Sequence, residues 1–175
     1  MTTAPLSNDP KVNTAMTAQA LIQNITPEQL GELLQGAGYR VNRSEQSGVV
    51  QLLSASQGIG FAVRFGNPSP IEASFLDFTF SCALRIEGEL PEGLVQVWNT
   101  SRRFARLSRQ GDFLVMEMDA IVAAGVSEEH LRGQLELWDR LLQEFVVYLR
   151  EYSQHARQQQ TADAAPAQEP VVDEA

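Results

Sequence analysis

The residues of this 175-residue chain with the types and spacing for chemistry are three carboxylates and four arginines. Asp77, Glu117 and Asp119 fall on runs that otherwise read as half-buried strands. A carboxylate held there is placed for acid/base work or for Mg²⁺, or it faces solvent or pairs with an arginine. Arg102, Arg103, Arg106 and Arg109 form the one basic concentration. They sit where a helix is expected to end, so they complement its dipole or hold an anionic group. Asp119 and Asp77 with one arginine would suit a small phosphorylated substrate. Other reactive types form no such set. Cys82 alternates with apolar residues and reads as a small core residue. His130 and His155 are far apart and have no cysteine partner, which excludes an ordinary zinc site. Gly58-Ile59-Gly60 begins like a dinucleotide fingerprint, but Val63 stands where the third glycine belongs and strand follows, so it reads as a hairpin turn. No catalytic residue, metal or cofactor is expected.

Charge narrows the partners. Lys plus Arg is 13 against 22 Asp plus Glu, a net charge of −9. Direct nucleic-acid binding draws on clustered cations, so an acidic chain is expected to bind neither DNA nor RNA directly. One cysteine excludes an intramolecular disulfide and fits a reducing compartment. Apolar runs stop well short of the ~20 residues that span a bilayer, and the start lacks a basic and apolar signal pattern. The expectation is a soluble, cytoplasmic protein without membrane contact.

The elements that must position these residues are legible from period and capping. Residues 1–24 show no sustained period and read as a flexible leader; 153–175 turn to Ala, Gln and Pro with acids and read as a disordered tail. The folded domain is expected at 25–152. Thr26-Pro27-Glu28-Gln29 is a capping box with proline at the first helical position, predicting a helix over 27–37. The period then changes to two. Strands are expected at 39–43, 49–55 and 59–65, and most clearly at 76–86, where Leu76, Phe78, Phe80, Cys82, Leu84 and Ile86 share one face. A second helix opens near Pro91-Glu92, with Leu94, Val97, Trp98, Phe104 and Ala105 on its apolar face. A hairpin turns at Gly111-Asp112. Ser127 caps a last helix whose seam Leu131, Leu135, Trp138, Leu142, Phe145, Leu149 and Tyr152 is spaced by fours and threes. The predicted class is α+β: an antiparallel sheet with helices packed on one side.

Trp98-Asn99, Arg102-Arg103-Phe104-Ala105-Arg106, the Gly111-Asp112 turn, a strand ending Met118-Asp119, Gly125-Val126 and a helix carrying Trp138 together resemble the YbjN family of bacterial proteins. That family is described as sensory transduction regulators. The resemblance extends over most of 27–149, with one departure, Ala124 where a second glycine is frequent. It implies a fold similar to type III secretion chaperones, a homodimer, and no known catalysis. Trp98, Asn99, Arg102, Arg103, Phe104, Arg106 and Asp119 are candidates for an interface or structural constellation. The function expected is a non-enzymatic protein-binding module, regulatory or chaperone-like. Two alternatives stand beside it: an accessory partner of a nucleic-acid-binding protein in DNA repair or stress response, and an enzyme using Asp119, Asp77 and an arginine. A dimer would use the apolar surplus of the second helix, at Val95, Val97 and Phe104, and an edge offered by the long 76–86 strand.

Overall fold

The computed structural model describes residues 20–163. Its first helix starts as local chemistry dictates. The Gln29 amide donates to Thr26 Oγ1 (3.2 Å) and the Thr26 amide donates to Gln29 Oε1 (3.0 Å), with Pro27 in the first turn. This begins α1 (Pro27–Gly36), which buries Leu30, Leu33 and Leu34. Then come β1 (Asn42–Gln46), β2 (Val49–Ser56), β3 (Ile59–Phe65), β4 (Asp77–Arg85), α2 (Leu94–Ser101), β5 (Arg106–Gln110), β6 (Phe113–Ile121) and α3 (Glu128–Asp163).

The six strands form one sheet in the order β1-β2-β3-β4-β6-β5, every pairing antiparallel. The fold is α+β, as the change of period predicts. Two-residue turns join the first three strands. Ser47-Gly48 and Gln57-Gly58 all hold positive φ, between 51° and 82°, the turn geometry whose twist matches the flanking strands.

Alternation divides the sheet into two faces. Leu52, Phe61, Val63, Phe78, Phe80, Cys82, Leu114, Met116 and Met118 lie on one, buried in a single cluster with side chains of all three helices. Trp138 of α3 stacks on Phe80, ring centroids 5.4 Å apart at 18°. Burying each such aromatic contributes about 2–3 kcal/mol. Two tyrosines fasten α3 to the approach and start of α2: Tyr148 Oη donates to the Leu94 carbonyl and Tyr152 Oη to that of Glu92, both at 2.6 Å.

Several expectations shift. The first strand occupies Asn42–Gln46, because the tight turn at Ser47-Gly48 lets pairing run through Ser44, Glu45 and Gln46, residues whose polarity read as a connection. The long 76–86 strand offers no edge: β4 is internal, between β3 and β6. The second helix is shorter at both ends than its apolar pattern suggests. Gly93 opens it with φ 76° and Arg102 closes it in extended conformation. Phe104 therefore lies beyond the helix, at φ 73° and 63% exposed.

The chain joins the fold before residue 25. Ile22 exchanges backbone hydrogen bonds with Val126 (2.8 and 2.9 Å) and Ile25 with Phe75 (both 2.9 Å). Isolated bridges need no repeating pattern, so the contact of Ile22 with the fold leaves no trace in composition. At the other end α3 continues to Asp163, beyond the boundary at 152, because no glycine or proline interrupts the chain before Pro166. The rest of the expected leader and tail, 1–19 and 164–175, lies outside the described residues.

Candidate functional site

The sheet face away from the helices collects the charged candidates. Register sets Arg64 of β3 opposite Thr79 of β4, Thr79 opposite Asp119 of β6, and Arg106 of β5 opposite Glu117 of β6. Thr79 and Ser81 are small, which leaves room for Arg64 to reach across β4. Glu117 is 7% exposed and lies between two guanidinium groups. It forms an ion pair with Arg64 and another with Arg106, Nη2 to Oε2 3.2 Å. A carboxylate this buried would be strongly destabilising without such partners. Arg106 also pairs with Asp119, whose Oδ1 accepts from Thr79 Oγ1 at 2.6 Å. The result is a ladder of alternating charge across four strands.

Burial pushes the Asp119 carboxyl up, but hydrogen bonds from Arg106 and Thr79 and the charges of Arg106 and Arg64 outweigh it, and its pKa lies below the ordinary aspartate value. The same Asp119 hydrogen bond raises the Arg106 guanidinium further. A general acid at neutral pH needs the opposite shift. Both shifts favour the charged forms, so Asp119 and Arg106 present a fixed ion pair on the sheet.

Trp98 and Asn99 do a different job. Trp98 is fully buried, edge-on to Phe145 and Tyr148, and its Nε1–H donates to the Ala105 carbonyl at 3.1 Å. Asn99 Nδ2 donates to the Leu107 carbonyl and the Leu107 amide donates to Asn99 Oδ1, both at 2.8 Å. β5 is a sheet edge, and the Asn99 carboxamide takes the place of a further strand at Leu107. The Trp-Asn pair thus closes that edge from α2.

The arginines disperse. Arg102 caps α2, lies over the Trp98 ring at 5.7 Å and approaches Glu144 at 3.7 Å. Arg103 lies over the exposed Phe104 ring at 5.1 Å. Arg109 donates to the Gly111 carbonyl at the hairpin turn, 3.2 Å. Only Arg106 joins the ladder. Asn99, Phe104, Arg106 and Asp119 do meet, lining an open depression of about 390 Å³ together with Ala105.

Asp77 is committed elsewhere. It accepts from Asn67 Nδ2 at 2.6 Å and from the Asn67 amide at 3.2 Å, closing the β3–β4 connection. Its carboxylate oxygen lies only 1.8 Å from where a Cβ on Gly66 would stand, so a side chain there would push the Asp77 carboxylate away from Asn67. Asp77 and Asp119 are each held by separate partners. Burial pushes the Cys82 thiol up to about 11, which keeps it protonated. Among the described residues no group of three or more His, Cys, Asp or Glu could hold a metal ion, and no helix is long and apolar enough to cross a membrane.

Sequence reasoning missed Arg64, Thr79 and Gly66. Arg64 did carry a signal, since it is the charged position in the alternation Phe61, Val63, Phe65, but its partner is 53 residues away.

Residues 26–151 match the model of the YbjN family, described as "Putative bacterial sensory transduction regulator". No curated protein matches the chain.

Proposed function

The chain belongs to the YbjN family, and from that premise we propose that it is a non-enzymatic regulatory or chaperone-like module that captures a segment of a partner protein on the open face of its sheet. One observation carries the reading. The three helices contribute to the core on one side of the sheet, and the other side keeps Val49, Leu53, Phe113 and Ile121 between 38% and 66% exposed around the charged ladder. Aromatic and arginine side chains are enriched where proteins bind one another, and this face offers Phe113, Arg64 and Arg106 together with exposed aliphatic side chains. The net charge of −9 favours partners of basic or amphipathic character and repels acidic ones. Arg64 and Arg106, half exposed, orient the segment through charge-assisted hydrogen bonds to its carboxyl or carbonyl groups.

The test is affinity capture from the native cell with mass spectrometry, comparing the wild-type chain with Phe113→Ser/Ile121→Ser, followed by binding and melting measurements on the same variants. The reading expects a partner that the wild-type chain retains and the folded variant loses. It is abandoned if every open-face variant that melts like the wild type, Arg106→Ala included, keeps full affinity.

A further inference from the structure

The two edges of the sheet are finished differently. At β5 the Ala105 carbonyl and both polar backbone groups of Leu107 are occupied by Trp98 and Asn99. Among the described residues none covers the backbone of β1 in this way; Asn42, Arg43, Glu45 and Gln46 are exposed, with the Arg43 side chain paired to Glu28 of α1 and 3.8 Å from Glu45, its neighbour on the same face. Its free groups follow from register. The two-residue turn makes Gln46 and Val49 a hydrogen-bonded pair, so Ser44 with Gln51 and Asn42 with Leu53 are bonded pairs too. In an antiparallel ladder the residues between them, Arg43 and Glu45, direct N–H and C=O away from β2. The order of residues is unusual for an edge: Asn42 and Gln46 outermost, Arg43 and Glu45 inside them, Ser44 at the centre. Charge inverts about Ser44.

We propose that β1 pairs with β1 of a second copy of this chain, antiparallel about a two-fold axis at Ser44, continuing the sheet from one protomer into its partner. This register puts Arg43 opposite the partner's Glu45, and Glu45 opposite the partner's Arg43. Both are residues whose backbone groups point outward, so each pair also exchanges two backbone hydrogen bonds. Sliding by two residues in either direction sets arginine against arginine or glutamate against glutamate. Charges on an edge strand ordinarily keep sheets apart, yet this pair is complementary to itself in one register only. That selects a second copy over an unrelated strand. The edge is a different surface from the open face, so the two proposals stand or fall separately.

Light scattering coupled to size exclusion tests it on the full chain. The wild type is expected at twice 19.3 kDa. Arg43→Glu places glutamate against glutamate in both contacts and Glu45→Arg places arginine against arginine, so each single variant is expected as a monomer. Mixing the two single variants restores both attractive pairs and is expected to return the dimer mass, as is the double exchange Arg43→Glu/Glu45→Arg. A monomeric wild type, single variants that remain dimeric, or a mixture and a double exchange that both stay monomeric would each overturn the proposal.

Discussion

Asp119 shows how much one side chain on the open face depends on its neighbours. Burial alone would raise its carboxyl, and Arg106, Thr79 and Arg64 bring it below the ordinary value near ~3.9. A group with a depressed folded pKa contributes stability that is complete above its unfolded pKa and is lost as pH falls through the folded one. Replacing Asp119 by Asn should therefore lower the urea midpoint at neutral pH, and the gap from the wild type should narrow as pH drops below about 4. A gap that stays constant into the acid range would show that the carboxylate is not coupled to folding. Glu117 bears a heavier constraint, since it is buried with Arg64 and Arg106 as its ion-pair partners. Phe104 carries a third kind of demand: a bulky residue at φ 73° is strained, and its ring faces solvent against Arg103. Phe104→Gly should leave the melting temperature unchanged or raised, because glycine removes about 1 kcal/mol of left-handed strain while little packing is lost. A fall of several degrees would mean that the ring supports the fold.

At the scale of elements, α2 and β5 form one unit through two side chains. On the unpaired side of β5, Leu107 finds its partners in Asn99, and Trp98 holds the Ala105 carbonyl just before the strand, so the helix covers the start of this edge. Asn99→Ala leaves the Leu107 amide and carbonyl without protein partners and should cost about 2 kcal/mol in chemical denaturation, roughly 1 for each hydrogen bond. Asn99→Asp keeps an acceptor but puts a carboxylate against the Leu107 carbonyl, so it should be no more stable than the alanine variant. Wild-type stability of Asn99→Asp would refute this account of the pair. The Thr26 to Gln29 capping box, the alternation from Phe78 to Leu84 and the seam from Leu131 to Phe145 were legible in the sequence, because each writes its geometry into neighbouring positions. Asn99 substituting for a strand neighbour leaves no periodic trace, so Trp98-Asn99 was visible as a pattern without its purpose. The Arg64–Glu117 pair needed the strand order, since β3 and β6 are separated by β4 and the intervening chain. Arg102 and Arg103 looked like one basic cluster with Arg106 because α2 was expected to run on. Its end at Ser101 sends them to different neighbours.

The whole molecule is closed by segments that look dispensable in composition. Ile22 bridges to Val126 at the approach to α3, and Ile25, 1% exposed, bridges to Phe75 ahead of β4. Leu21 packs over Gly125, where an added Cβ would stand 3.1 Å from the leucine Cβ. This short stretch joins the start of α1 to the segments just before β4 and just after β6, which lie together at one end of that antiparallel pair, and it lies against the depression bounded by Ile22, Ile25, Leu33 and Arg132. The sequence before residue 20 has no periodic apolar face, so removing 1–19 should move the melting temperature very little. Removing 1–25 should be different in kind. It deletes a buried isoleucine worth about 2–3 kcal/mol and strands the backbone groups of Phe75 and Val126, against a total stability of only about 5–15 kcal/mol for a domain of this size. A melting temperature lower by many degrees, or loss of a cooperative transition, is expected for that chain in calorimetry, with the 1–19 deletion as its control. Equal melting of the two truncated chains would mean that the bridges at Ile22 and Ile25 do not hold the fold, and that α1 docks on β2 without them.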